Sequence, residues 1–239
     1  GGKLVYTKVT GTTGKYETSL IMDGKEVAHE QLISEVMDYK GSPAYIAISF
    51  QFNQTKMVVM YKGVAISKPY ENIFNLGIIG GKIAFLAKKE SIEKMPAYIL
   101  VFDGKEYGKE YGAVTGYIDN NGLPAYIAID YKQDENGRMR NEYKDQYIVK
   151  NNSVLFELKS GEEMIWQSKE MIDVNGFIAA IVRAPKTNSL YVWYDGKKFF
   201  EGYDIHNILN VNGKLAVLAG KNKIQSIFLE KYPTLQNCA

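Results

Sequence analysis

Pro43-Ala44-Tyr45-Ile46-Ala47 returns as Pro124-Ala125-Tyr126-Ile127-Ala128 and, shortened, as Pro96-Ala97-Tyr98-Ile99. A second element recurs beside it, an apolar run entering Asp-Gly-Lys: Leu20-Ile21-Met22 before Asp23-Gly24-Lys25, Leu100-Val101-Phe102 before Asp103-Gly104-Lys105, and Val192-Trp193-Tyr194 before Asp195-Gly196-Lys197. Asp-Gly between alternating strands marks a hairpin, because both central residues of a type I′ turn need positive φ. Lys62-Gly63 and Asn151-Asn152 fill the same place, which makes five such hairpins.

A second family of turns lies between them: Lys40-Gly41, Gly80-Gly81, Asn121-Gly122, Asn175-Gly176 and Asn212-Gly213, each followed by an apolar strand. Its glycines fall 40, 41, 54 and 37 residues apart. Two hairpins per unit of about 40 residues means four antiparallel strands per unit, the size of one propeller blade. With strands lettered A to D from the centre outward, B strands are predicted at Lys3–Val9, Ala44–Phe50, Lys82–Lys88, Pro124–Tyr131, Phe177–Arg183 and Lys214–Gly220. C strands begin near Tyr16, Met57, Ala97, Gln146, Leu190 and Ile224, and five are followed by a D strand.

The expected fold is therefore all-β: a single domain over residues 1–239, a six-bladed β-propeller of four-stranded antiparallel blades closed by strands from both termini. Gly1-Gly2-Lys3-Leu4-Val5-Tyr6 matches Gly80-Gly81-Lys82-Ile83-Ala84-Phe85, so the chain starts at an A–B turn without an A strand of its own. Thr234–Ala239 is expected in that empty position, since closure removes the exposed edges that invite aggregation.

The Asp-Gly-Lys turns and the strands carrying Ala-Tyr or Ala-Phe pairs resemble the degenerate TolB-like and WD40-like propeller repeats of bacteria, over nearly the whole chain. The Trp-Asp and Gly-His signatures of WD40 blades and the Ser-Pro-Asp-Gly form of the TolB repeat are absent. Six-bladed propellers include lactonases, phytases, sialidases and glycosidases, so the resemblance implies calcium clusters, Arg triads or His dyads at a channel mouth.

Composition opposes most of those chemistries. A net charge of +2, with Lys and Glu interspersed, gives no footprint for nucleic acid or an anionic membrane. No apolar run approaches the roughly 20 residues that span a bilayer. The opening residues read neither as a signal peptide nor as a natural start, so a trimmed leader and an extracytoplasmic location are compatible with the sequence. The single Cys238 excludes an intrachain disulfide or cysteine-rich metal site.

Only His29 and His206 occur, the first expected on an outer D strand and the second near the start of an inner A strand, which disfavours a His relay or a two-His metal site. The three arginines, Arg138, Arg140 and Arg183, cannot form a triad from three blades, because two share one loop. Glu35, Asp38, Asp119, Glu170, Asp173 and Asp204 lie on or beside inner strands. A pair of them could hold calcium or act as acid and base; turn chemistry is the plainer reading of Asp119 and Asp173.

Loop length then locates a binding surface. The fourth unit carries an insertion, Lys132–Lys144, and Ser160–Trp166 connects it to the fifth. A contact surface is expected around Tyr131, Arg138, Arg140, Tyr143 and Trp166. Tyr45, Tyr98, Tyr126 and Tyr191 read as packing residues at matching strand positions, whereas Tyr39, Tyr70, Tyr111, Tyr131, Trp166 and Tyr203 are candidates for the loop face. The expected function is a non-catalytic binding module for a protein or peptide, monomeric and without cofactor. The alternative is a hydrolase or lyase with a carboxylate-bound metal in the central channel.

Overall fold

A computed structural model describes residues 3–12, 15–51, 54–89, 96–133, 135, 139–158, 163–164, 171–184, 187–221 and 224–229, with the backbone alone at 15, 51, 133, 139–143, 163–164, 221 and 224–229. The described elements are strands, all paired antiparallel, and no helix occurs among them. All ten predicted two-residue turns are present, and both central residues have positive φ in each, from Asp23 (50°) and Gly24 (76°) to Asn212 (52°) and Gly213 (77°). That is the type I′ geometry whose twist matches the flanking strands.

The first sheet is β1 (Val5–Thr12), β2 (Lys15–Met22) and β3 (Lys25–Glu30). The second is β4 (Leu32–Tyr39), β5 (Ser42–Gln51), β6 (Gln54–Tyr61) and β7 (Val64–Ala65). The third is β8 (Asn72–Ile79), β9 (Lys82–Lys89), β10 (Ala97–Phe102) and β11 (Lys105–Tyr111). The fourth is β12 (Ala113–Asn120), β13 (Leu123–Gln133), β14 (Met139–Lys150) and β15 (Ser153–Leu158).

The remaining strands form one hydrogen-bonded network: β16 (Glu163–Met164), β17 (Met171–Val174), β18 (Phe177–Ala184), β19 (Ser189–Tyr194), β20 (Lys197–Val211), β21 (Lys214–Lys221) and β22 (Ile224–Leu229). The 15-residue β20 serves two repeats. Lys197–Tyr203 pairs with β19, whereas Asp204–Val211 pairs with β21. The last strand of one repeat thus runs straight into the first strand of the next.

Repeated four-stranded antiparallel sheets of this kind are compatible with a propeller-like fold. The chain divides into two compact units, Gly1–Val114 with Gln133–Met139, and Thr115–Lys132 with Arg140–Ala239.

Burial explains why the B strands read as nearly continuous apolar runs. In β5, Ala44, Ile46 and Ile48 join Ile83, Phe85, Ile99 and Val101 of the third sheet in one core cluster, while Tyr45 and Ala47 face Leu20 of the first. Both faces of the strand are covered, so side chains of either parity must be apolar. In the second unit the matching cluster joins Ala179, Ile181 and Val192 to Ile205, Leu215 and Val217, and Phe156 stacks on Trp193 at 4.5 Å. Burying one Phe or Ile at such a position contributes about 1.5–3 kcal/mol.

β1 is the exception: all eight of its residues are exposed, and Leu4, Tyr6 and Val9 are 67%, 47% and 57% exposed. It occupies a B position, but among the described residues it pairs only with β2, whereas β5 and β9 are paired on both edges. The expectation that Thr234–Ala239 fills this place falls outside the described residues.

Tyr45 and Tyr126 lie on the B strands β5 and β13, but Tyr98 and Tyr191 lie on the C strands β10 and β19, which corrects the expectation of matching positions. Pro-Ala-Tyr-Ile marks strand-forming preference rather than register, since either kind of strand buries the aromatic ring. Tyr45, Tyr126 and Tyr191 are 2%, 0% and 0% exposed.

Candidate functional site

The insertion in the fourth repeat is a lengthened hairpin rather than an irregular loop. β13 and β14 span 11 and 12 residues, against 8 and 6 for β9 and β10 or β18 and β19. Alternating Met139-Arg140-Asn141-Glu142-Tyr143 sustains the ladder, although its polar composition carries no apolar period. Tyr131 is half-buried on β13, and Arg140 and Tyr143 sit on the adjoining β14. Arg138 and Trp166 lie outside the described residues, as do the side chains of Arg140 and Tyr143. One hairpin therefore brings Tyr131, Arg140 and Tyr143 together along the backbone.

The inner-strand carboxylates have local duties. Asp119 Oδ1 accepts the Gly122 amide at 2.7 Å, and Asp173 Oδ2 accepts the Gly176 amide at 3.1 Å. Asn210 Oδ1 does the same for Gly213 at 2.8 Å. Asp173 also accepts Nδ2 of the buried Asn120, and its backbone carbonyl accepts Asn210 Nδ2 at 2.9 Å. Glu35 has positive φ (45°) at a bulge in β4, and its Oε2 accepts the Leu76 amide at 2.6 Å, beside the matching bulge residue Asn75 (φ 56°) of β8. A bulge leaves an amide without a ladder partner, and a carboxylate from the neighbouring sheet supplies one. Asp38 and Asp204 are exposed, and Glu170 is outside the described residues. Among the described residues no three His, Cys, Asp or Glu side chains cluster in a way that suits a metal ion.

Among the described residues two further constellations combine reactive or charged groups. Ser19 Oγ lies 3.1 Å from His29 Nδ1, and His29 Nε2 lies 3.2 Å from Glu17 Oε2. This has the connectivity of nucleophile, base and carboxylate. Ser19 and His29 are direct cross-strand partners on β2 and β3, Glu17 is two residues along the same face, and Ser19 is only 5% exposed. A hydroxyl so covered has no approach for a substrate, and the trio is a cross-strand polar pair with a carboxylate at its rim. Counting back from the Asp23-Gly24 turn sets Ser19 opposite Ala28; a bulge between Leu20 and Ile21 shifts the register by one and brings His29 there instead, so the sequence gives no signal for this contact.

The second is an ion network between the β7–β8 connection and the third sheet. Glu106 receives Lys68 at 2.6 Å, Lys89 at 3.3 Å and the Tyr70 hydroxyl at 3.5 Å; Lys89 also reaches Glu110, and Lys88 reaches Glu71. Burial alone would raise the Glu106 carboxyl, but the two lysines hold it below the ordinary carboxylate range. Burial first, then the Glu106 charge, push the Tyr70 phenol upward. Each charge here has a partner, so the network fastens the β7–β8 connection to the third sheet.

Aromatics expected on the loop face are otherwise placed. Tyr70 and Tyr111 are buried, at 4% exposure each. Tyr39 belongs to the opposite, tight-turn face, because it immediately precedes Lys40-Gly41, and its hydroxyl donates to Gly81 O at 3.1 Å. A cleft of about 460 Å3 opens on that same face, lined by Lys3, Val5 and Met22 of the first sheet and Val36, Met37 and Asp38 of β4.

No family model matches the chain, and no curated protein matches it. Among solved structures the chain is similar to Pyrococcus horikoshii acylaminoacyl peptidase in its orthorhombic crystal form, at 13% identity and a TM-score of 0.42, over 83% of this chain and 44% of that one. The chain thus spans less than half the length of that peptidase chain.

Proposed function

We propose that the chain is a six-bladed β-propeller closed by strands from both termini, and that it acts as a non-catalytic binding module for a protein or peptide partner. The partner meets the β13–β14 hairpin and the segment that follows it, around Tyr131, Arg138, Arg140, Tyr143 and Trp166. The observation that carries this reading is hairpin length: β13 and β14 continue as strand beyond the bounds of the other repeats. Their sequence carries arginine and tyrosine, residue types that supply interface anchors. Turn and bulge duties of Asp119, Asp173 and Glu35 add support, since a carboxylate that satisfies a backbone amide is a poorer candidate for a channel metal.

A photocrosslinking amino acid at position 143, with a control at the exposed Val154, tests the reading in cells that produce the protein. One discrete adduct from position 143, lost in an Arg138→Glu, Arg140→Glu variant of unchanged melting midpoint, is the expected outcome. Absence of an adduct, together with a bound metal whose removal lowers the midpoint, overturns it in favour of a carboxylate-metal hydrolase or lyase.

A further inference from the structure

We propose that the tight-turn face of the second sheet is a docking surface for a carboxylate-bearing segment of a protein partner, with Lys40 and Lys62 as its cationic contacts. Lys40 ends the β4–β5 turn approach and Lys62 the β6–β7 approach, so both project at one end of one sheet. Lys40 Nζ lies 4.8 Å from the Tyr39 ring centre and Lys62 Nζ 5.3 Å from that of Tyr61, and the two rings meet edge to face at 5.1 Å. The aromatic pair therefore gathers the two ammonium groups, because each ring face attracts a cation.

Backbone conformation gives an independent reason to attach a role to these lysines. Both adopt left-handed φ, 52° in each case, at the first position of a type I′ turn. The other eight turns place Asp, Asn or Gly there, residues that enter this region at lower steric cost. Strain retained where a cheaper residue would serve is a mark of functional positions. The site is open: a Cβ added at Gly41 or Gly63 would meet nothing within 4 Å. Neither Lys40 nor Lys62 has a carboxylate partner among the described residues, in contrast to Lys82, which is paired with Asp103 at 2.7 Å.

The charge balance selects the ligand. Asp38 and Asp103 are exposed on the same face, so the surface lacks the run of cations that a phosphate backbone needs. Two ammonium groups that lack a carboxylate partner among the described residues, beside Asp38 and an Asp103 already held by Lys82, fit one or two Asp or Glu side chains of an extended segment. This surface is distinct from the β13–β14 hairpin and does not depend on it.

The test is an amide-resolved NMR titration of the full chain with a short Asp/Glu peptide, a Gly/Ser peptide of equal length and a short single-stranded oligonucleotide. Expected are shifts at Tyr39–Gly41 and Tyr61–Gly63 with the acidic peptide only, weakened by salt and unaffected by Arg140→Glu. A Lys40→Asn, Lys62→Asn variant, whose turns keep the residue type of Asn121-Gly122, should bind about tenfold more weakly while its melting midpoint stays level or rises. Unchanged binding by that variant, shifts confined to other residues, or tighter binding of the oligonucleotide would each overturn the proposal.

Discussion

In the second unit the A–B turns are built from Asn and Asp and bind one another: Asn120 and Asn210 both reach Asp173, Lys150 Nζ donates to Gly176 O at 2.6 Å, and Asn121 packs against Gly176. In the first unit the same turn positions carry Lys40-Gly41 and Gly80-Gly81, and their links are longer side chains, Lys3 to Gly41 O at 3.2 Å and Tyr39 to Gly81 O at 3.1 Å. Both use the carbonyl of the glycine at the turn's second position as acceptor, so the backbone solution is shared. What differs is whether side chains are consumed by the turns, as in unit 2, or left facing outward, as Lys40 and Lys62 are.

The largest test of this contrast is Asp173→Ala. It strips the Gly176 amide and the Asn120 side chain, itself 2% exposed, of their acceptor, and should cost about 3 kcal/mol in urea unfolding. An effect below that of an exposed surface change would dissolve the distinction between the units.

Next in size is a pH dependence at Tyr45 of the first unit, one of several phenols that burial pushes upward, Tyr70 of the same unit and Tyr147 of the second among them. Burial first, then the Glu30 carboxylate to which it donates at 3.3 Å, push the Tyr45 phenol up to about 12. The unfolded phenol titrates near pH 10, so between about pH 10 and 12 the unfolded state loses a proton that the folded state keeps. Stability from this group is complete below pH 10 and falls by about 2 kcal/mol as pH rises through that window. Tyr45→Phe should flatten the difference between urea midpoints at pH 9.5 and 11.5, values chosen to lie roughly inside and outside the protonated range.

Two glycine substitutions sharpen the comparison further. Gly176→Ala places a Cβ 2.7 Å from Asn121 Nδ2 at φ +89°, whereas Gly41→Ala, at φ +75°, meets nothing within 4 Å. Both carry the left-handed penalty of about 1 kcal/mol, and Gly176→Ala should lose about 1 kcal/mol more in the same unfolding assay. The smallest effect is at Lys40 itself. Lys40→Asn should raise stability by about 0.5 kcal/mol, and the reciprocal Asn121→Lys should lower it by at least as much.

Legibility in the sequence followed the range of the interactions involved. All ten turns and the six B strands were readable, because positive φ restricts residue choice within two positions and strands buried on both faces leave unbroken apolar runs such as Ile83-Ala84-Phe85-Leu86-Ala87. Turn duties of Asp119 and Asp173 were equally local. The lengthened β13–β14 hairpin reads in the sequence only as an insertion, because a solvated ladder needs no apolar alternation. Tyr39 reads in the sequence as a loop-face aromatic yet lies at the opposite end of its strand, since an aromatic beside a turn looks alike at either end.

The sequence by itself therefore determined the all-β class, the repeat, the turn type and the strand order, all of which rest on backbone preference and on spacing along the chain. Only tertiary structure decided what spacing cannot encode. Glu35 serves an amide 41 residues away, Asn120 an acceptor 53 away, and Ser19, His29 and Glu17 meet as cross-strand neighbours. Among the described residues, tertiary structure also left Lys40 and Lys62 without carboxylates while Lys82 and Lys89 found theirs. A side chain's partner depends on which sheet packs against its own, and that is settled by burial across the whole unit rather than by the residues beside it.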